Sequence, residues 1–199
     1  MQLPKSLVAI AATTILFTGC ASNEEPARQA LASAEASLAE VRVDAAKFAP
    51  EELQVAETRL AKAKESLAKE EYKDVLGDAT QLTKETATLK EVVVSKQTQA
   101  AAATHEWESL SEEVPKMVKA IEFRVEALSG SKLPKDVNKE TFEAAKAALQ
   151  SMKSMWAEAS AAFNAGNAVA AADKGRLVQS KGEEVANQLG MSPAEFASN

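Results

Sequence analysis

The chain has 199 residues, of which 46% are hydrophobic and about a fifth are alanine, and its formal net charge is −6. Alanine is the best helix former and lets helix backbones approach closely, so this composition is typical of long, tightly packed helices. The acidic balance and the lack of any block of lysine or arginine exclude nucleic acid as an expected partner.

Residues 1–19 have the pattern of a secretory signal peptide. Lys5 precedes an apolar stretch over 7–17, and small residues follow that stretch. A signal peptide combines a basic start, an apolar core of about 7–15 residues and a small-residue cleavage site. Because a transmembrane helix needs ~20 apolar residues, we expect this segment to be removed rather than kept as an anchor.

The only cysteine, Cys20, directly follows this segment. The stretch LFTGC over 16–20 resembles the lipobox of bacterial lipoproteins, with Phe17 where that family usually has leucine. The resemblance implies cleavage before Cys20, a diacylglycerol on its thiol and an acylated new amine, so that lipid holds the protein on a membrane. The alternative is cleavage after Ala21 by the ordinary signal peptidase, because Gly19-x-Ala21 has the small-x-small form. The mature protein is then free of lipid.

The residue after the cysteine bears on which membrane is reached. In the sorting rule that the lipoprotein resemblance brings, aspartate at this position retains a lipoprotein at the inner membrane. Ala21 stands there instead. The resemblance therefore implies the outer membrane, on its periplasmic face, where several acyl chains together anchor a protein stably.

Helical periodicity begins after residues 20–26, which we predict to be a lipidated tether. Apolar residues recur at steps of three and four over 31–48 and again over 53–67, and this spacing predicts two helices. Pro50 suits the first turn of the second helix, where its missing N–H group has no helical partner to lose.

The third stripe of apolar residues is the longest, running over 72–121 with Thr86 and Lys96 as its polar breaks. Its spacing persists through Pro115, which predicts one continuous helix that is kinked at the proline. The alternative is a new helix that Ser111 caps and that carries Pro115 in its first turn.

Stripes over 142–163 and 168–189 predict a fourth and a fifth helix. Gly175 and Gly182 lie on the fifth stripe. A glycine inside a helix costs about 1 kcal/mol, so we predict that a neighbouring helix approaches closely at both. The predicted organisation is a first helical unit at 27–114, a second helical unit at 115–190 and a flexible tail at 191–199.

The apolar stripes break in the same way twice. The step from Leu67 to Tyr72 and the step from Phe163 to Ala168 are both five residues. This matched break predicts a duplicated helical hairpin with one helix before each copy. Two three-helix units then share the long third helix.

The hairpin pattern, A-x-x-x-L-x-x-A before a tight turn, resembles tetratricopeptide-like hairpins. More closely, residues 27–100 resemble a family of small bacterial lipoproteins with a domain of unknown function, through the start APEEL at 49–53 and the turn EEY at 70–72. Members of that family are periplasmic, which is the location the resemblance implies. This turn lacks the family's glycine, which Gly166 supplies in the second copy.

Few residues indicate catalysis or cofactor binding. His105 is the single histidine, so neither a pair of Glu-x-x-His motifs for a di-iron site nor a second histidine for nucleophilic catalysis exists. Carboxylates at helical spacing are typical of a solvated face. Trp107 and Trp156 lie on apolar stripes, which favours core packing over an aromatic binding site. We therefore expect no enzyme activity, no metal and no cofactor.

Together these patterns predict an all-α protein, an elongated antiparallel bundle of coiled-coil-like hairpins. Its expected role is a non-enzymatic scaffold or protein-interaction module of the cell envelope. An envelope protein is expected to dock on an apolar edge at an unpaired end of the long helix, and self-association into a homo-oligomer is the alternative. The alternative function is a periplasmic module that holds a peptide or small apolar ligand between hairpins, in a pocket lined by Trp107, Trp156 or Met152.

Overall fold

The computed structural model of the chain describes residues 23–130, 132–135 and 137–192. The predicted signal peptide, Cys20 and residues 193–199 of the predicted tail lie outside the described residues. Those described form five α-helices and no strand, which confirms the all-α class. The helices are α1 (Glu24–Phe48), α2 (Pro50–Ala68), α3 (Tyr72–Ser129), α4 (Lys139–Asn164) and α5 (Ala168–Gln188).

A single residue, Ala49, joins α1 to α2. Its backbone angles of φ −146° and ψ 54° break the helical path. Pro50 then begins α2 at the position where a proline fits best. Glu51 and Glu52 lie in the first turn of α2, where negative charge stabilises the positive end of the helix dipole.

The helix α3 is continuous for 58 residues and contains Pro115. This confirms the predicted continuity and excludes the alternative of a new helix capped by Ser111. A proline inside a helix removes one backbone hydrogen bond. Val114 and Met117 beside it are 0% and 6% exposed, so packing against neighbouring helices offsets that loss.

Contacts within the chain separate two compact units. The first unit ends at Leu89 and contains α1, α2 and the start of α3, whereas the second unit begins at Lys90 and contains the rest of α3, α4 and α5. The sequence-based division between 114 and 115 also falls within α3.

The middle of α3 is uncovered. Val93 and Ala103 are buried, but no residue over 94–102 is, and Val94 is 60% exposed. Both ends of the helix are covered instead, because Val75 and Leu128 are 0% and 6% exposed. The expectation of an open stripe at an unpaired helix end is thus corrected. Apolar periodicity continues through the middle, although the described residues there are exposed or half-buried.

The turns that join α2 to α3 and α4 to α5 share one hydrogen-bond pattern. In each turn, one backbone N–H donates to the carbonyl four residues back, and the N–H two residues later donates to the carbonyl five residues back. The pairs are Lys69 to Glu65 and Glu71 to Ser66 in the first turn, and Ala165 to Ala161 and Asn167 to Ala162 in the second, at a constant offset of 96 residues. The predicted matched break is confirmed.

The first helices of the two units correspond as well. The buried stripe of α1 recurs in the second half of α3 at a constant offset of 76 residues. Its members are Ala27, Leu31, Ala34, Leu38, Val41 and Ala45 in α1, and Ala103, Trp107, Leu110, Val114, Met117 and Ile121 in α3. Each unit is therefore one copy of the same three-helix pattern.

The end of α5 is closed by a cap. Gly190 has a positive φ of 68°, and the N–H of Met191 donates to the carbonyl of Ala186. The guanidinium of Arg124 donates through Nε and Nη2 to the carbonyl of Leu189, at 3.2 and 3.1 Å. Met191, which the sequence assigned to a flexible tail, is 7% exposed and belongs to the core.

Candidate functional site

Cys20, the residue with a predicted chemical role, lies outside the described residues. Within the described part of the chain, side chains converge at two places. One is an ion-pair cluster of Arg59, Lys62, Asp78 and Glu85 on α2 and α3 of the first unit. The other is an aromatic stack of Trp107, Trp156 and Phe163 on α3 and α4 of the second unit.

The ion-pair cluster joins α2 to α3. Arg59 Nε donates to both carboxylate oxygens of Glu85 at 2.8 Å, and Arg59 Nη1 donates to Asp78 Oδ1 at 3.2 Å. Lys62 Nζ donates to the same Oδ1 at 3.2 Å and lies 3.2 Å from Oδ2. Helical spacing places Asp78 and Glu85 seven residues apart on one side of α3, facing Arg59 and Lys62 on α2.

Burial makes this cluster more than a surface ion pair. The side chains of Asp78 and Glu85 are 8% and 20% exposed, and a buried charge is costly unless it is paired. The hydrogen bond from Arg59 to Glu85 is the main reason that the pKa of Arg59 is raised. Arg59 therefore ties both carboxylates of α3 to α2, which is a structural role.

A shallow depression lies beside the cluster on the outer side of α2. Its volume is about 420 Å³ and it is lined by Glu51, Gln54, Val55, Thr58, Arg59 and Lys62. A second, of about 260 Å³, lies between α2 and α3 and shares Val55. Ligand sites are normally concave and bury most of a ligand's surface, whereas both depressions are shallow and open to solvent.

The aromatic stack fills the seam between α3 and α4. The Trp107 ring lies parallel to Trp156 and to Phe163, with centroid distances of 5.0 and 5.2 Å and interplanar angles of 13° and 18°. Trp107 is 6% exposed. Because both neighbouring rings are in contact with it, Trp107 is a core residue, as the apolar stripe predicted.

The two predicted glycines bring α5 close to α3. A Cβ atom on Gly175 would lie 2.9 Å from Leu110 Cδ1 and 3.6 Å from Trp107 Cζ3. A Cβ atom on Gly182 would overlap the Met117 sulfur and lie 3.0 Å from Met152 Cε. Close approach is confirmed as the reason for both glycines. The place predicted for a ligand pocket is filled by side chains.

His105 is exposed on α3. Its neighbour Glu106 accepts hydrogen bonds from Arg176 Nη1 at 2.6 and 2.8 Å, which ties α3 to α5. Over 23–130, 132–135 and 137–192, no group of three or more His, Cys, Asp or Glu residues is placed to hold a metal ion.

Sequence reasoning missed the ion-pair cluster, because Arg59, Lys62, Asp78 and Glu85 were included in a solvated face. One signal could have found it. Asp78 and Glu85 are seven residues apart and directly precede the stripe residues Ala79 and Thr86, so both flank a buried seam.

No protein-family model matches the chain, and neither the curated proteins nor the solved structures give a significant match. Fold and packing therefore define its class as a tandem of two three-helix units joined by a shared helix. None of the helices in the described residues is both long and apolar enough to cross a membrane.

Proposed function

We propose that the chain is a lipoprotein of the outer membrane, attached through Cys20 on the periplasmic face, whose helical units form a non-enzymatic scaffold or protein-interaction module of the cell envelope. The LFTGC stretch supports the attachment. The observation that carries the scaffold role is the filled seam of the second unit, where Met152 is 0% exposed and Trp107 6%.

The start of α1 constrains how an acylated chain meets the membrane. Glu24 begins α1 four residues after Cys20. An extended chain spans at most about 3.5 Å per residue, so Glu24 lies within roughly 14 Å of an acylated Cys20. The first unit then stands directly above the lipid surface, as expected of a module that presents a rigid surface at a fixed distance.

The attachment is tested by labelling cells with a fatty-acid analogue. We expect the label on the full chain and its loss from Cys20→Ser. Inhibition of lipoprotein signal peptidase should leave a precursor longer by residues 1–19. Label that persists in Cys20→Ser contradicts the attachment.

The scaffold role is tested by crosslinking in cells. A photoreactive residue replaces Val94 on the uncovered stretch of α3, or Phe123, each more than half exposed, and Leu82 at 0% exposure serves as a control position. We expect crosslinks to an envelope protein from an exposed position and none from Leu82. Crosslinks between copies of the chain alone contradict the envelope partner and favour a homo-oligomer.

The alternative of a ligand held between the hairpins has its own measurement. Trp107 and Trp156 are the only tryptophans, so a peptide or small apolar ligand beside them changes their fluorescence. An unchanged spectrum across a panel of apolar probes is the result that the filled seam predicts.

A further inference from the structure

Methionine is confined to the second unit within the described residues. Met117, Met152, Met155 and Met191 all belong to it, and residues 23–89 contain none. Met117, Met152 and Met191 are at most 7% exposed, whereas Met155 is half-buried. Oxidation of a thioether follows its accessibility, so Met155 is the sulfur that a small oxidant reaches first.

A short chain of hydrogen bonds leads to the sulfur of Met155. Ser151 Oγ lies 3.7 Å from Met155 Sδ and donates to it. Lys181 Nζ on α5 donates to the same Ser151 Oγ at 3.4 Å. A thioether is only a weak acceptor, so the Ser151 hydroxyl is matched better by a stronger acceptor on the sulfur, such as a sulfoxide oxygen.

The matching position in the first unit already holds a polar side chain. At the 96-residue offset of the turns, Met155 corresponds to Arg59, which is hydrogen-bonded to Glu85 and Asp78. This flank of the seam therefore accommodates a polar group without loss of the three-helix pattern.

The buried methionines offer the opposite surroundings. Met117 and Met152 pack against the bare backbone of Gly182 and are 6% and 0% exposed. Sulfoxide formation there places a polar oxygen in a closely packed apolar contact, which is costly.

We propose that Met155 is an oxidation site of the folded protein, modified by peroxides and retained as the sulfoxide by the hydroxyl of Ser151, which itself accepts a hydrogen bond from Lys181. A lone pair of Met155 Sδ attacks one peroxide oxygen, and the O–O bond breaks as the S–O bond forms. The sulfur-bound hydroxyl gives its proton to the departing hydroxide, which leaves as water. The sulfur loses two electrons and the peroxide gains them.

The site is tested on the purified full chain with hydrogen peroxide, by peptide mass spectrometry over time. We expect Met155 sulfoxide to form roughly tenfold or more faster than Met117 or Met152 sulfoxide, because burial protects those sulfurs. The thermal midpoint at that stage should equal that of the untreated protein. Equal rates at all three methionines, or loss of helix with the first oxidation, overturn the proposal.

Variants separate the site from its supporting donors. Met155→Leu removes the fast reaction, whereas Met117→Leu leaves it unchanged. Ser151→Ala keeps the fast reaction, but its oxidised form should melt below oxidised wild type, since the sulfoxide loses a donor. Identical melting of the two oxidised proteins contradicts the role of Ser151.

Polar substitutions test the same surroundings without oxidation. Met155→Gln should leave the thermal midpoint close to that of wild type, whereas Met117→Gln should lower it. The reverse order also overturns the proposal.

Discussion

The two units share one pattern of buried positions but distribute side-chain volume differently. In the second unit the third helix has the smaller residue at five matched buried positions. The pairs, first unit then second, are Val75 and Ala171, Ala79 and Gly175, Leu82 and Val178, Thr86 and Gly182, and Leu89 and Val185. Protein cores are close-packed, so a loss of volume on one helix must be met by its neighbours.

The other two helices supply that volume. At most matched positions, the second unit has the larger residue. These pairs are Leu31 and Trp107, Ala34 and Leu110, Val41 and Met117, Ala56 and Met152, Leu60 and Trp156, and Leu67 and Phe163. The aromatic stack thus occupies the place of three leucines. The comparison shows that the three-helix pattern constrains the total side-chain volume between the helices rather than the residue at each position.

The polar groups of the two units also correspond. Lys62 pairs with Asp78 in the first unit, and at the same offset Glu158 pairs with Lys174 in the second, at 2.6 Å. The ion pair is kept with its charges exchanged between the helices. Arg59 corresponds to Met155, so the larger cluster exists in the first unit alone.

The largest effect is expected for Gly182→Val, which tests the difference in side-chain volume between the two units. Its Cβ would overlap the Met117 sulfur, so we expect a loss of about 2–3 kcal/mol of unfolding free energy from overpacking. Gly77→Val is the control, because nothing lies within 4 Å of a Cβ atom there. Adding Met117→Val, the first-unit residue, should restore part of the loss. Equal effects at the two glycines contradict close approach at Gly182. Denaturant unfolding followed by circular dichroism measures all three.

Arg59→Met gives the first unit the residue of the second. Asp78 and Glu85 then lose their main partner while 8% and 20% exposed, and we expect a loss of about 2 kcal/mol. Adding Asp78→Asn and Glu85→Gln should recover much of it. Arg28→Met, which breaks an exposed pair with Glu24, should cost under about 0.5 kcal/mol. Similar losses at Arg59 and Arg28 in denaturant unfolding contradict a buried cluster.

A smaller effect is expected at the turns. Glu70 adopts a positive φ of 61° where the second unit has Gly166 at 82°. Side chains other than glycine pay roughly 1 kcal/mol for this conformation, so Glu70→Gly should raise stability by up to about that amount. Gly166→Ala should lower it similarly. Thermal melts that move in the same direction for both variants show that the two turns are not equivalent.

Thr86→Val tests the polar break in the third stripe. The Thr86 hydroxyl is buried without a hydrogen-bond partner, and its removal by a residue of the same shape should stabilise the protein by about 1 kcal/mol. Thr83→Val is the control, because its hydroxyl donates to the carbonyl of Ala79 and little gain is expected. Loss of stability in Thr86→Val, measured by thermal unfolding, contradicts an unpaired hydroxyl.

The smallest effect concerns Tyr72, the only tyrosine. Burial, and next the nearby Glu24 carboxylate, raise its pKa. A raised pKa favours the protonated form in the folded state, so the associated stability is present below the usual pKa and is lost as pH rises through the folded value. Phenolate absorbance should titrate at higher pH in folded than in denatured protein. Glu24→Gln should reduce this difference, and an unchanged titration contradicts the contact.

Much of the fold follows from local pattern. The alternation of three and four residues marks all five helices. The matched break marks both turns, and two glycines on a stripe indicate a close helix neighbour. These signals are readable because each depends on residues near one another in the sequence.

The features that the sequence did not reveal depend on which helix packs against each helix face. The stripe continues through the middle of α3, yet none of the described residues over 94–102 is buried, because periodicity describes a helix and not its neighbours. In the sequence Arg59 and Asp78 have the pattern of solvated residues. Only the packing of α2 against α3 shows that they form an ion pair. Cys20 lies outside the described residues, so its acylation stays a prediction.

The cap at Gly190 has a consequence for how many units such a chain can contain. Val94 occupies the matching place in the first unit, and there the helix runs on to become the first helix of the next unit. The residue at this matched position therefore marks whether the helix continues, as at Val94, or ends, as at Gly190. The three-helix pattern can be extended one unit at a time, and a third copy would require replacing Gly190 and the hydrogen bonds from Arg124 to the Leu189 carbonyl.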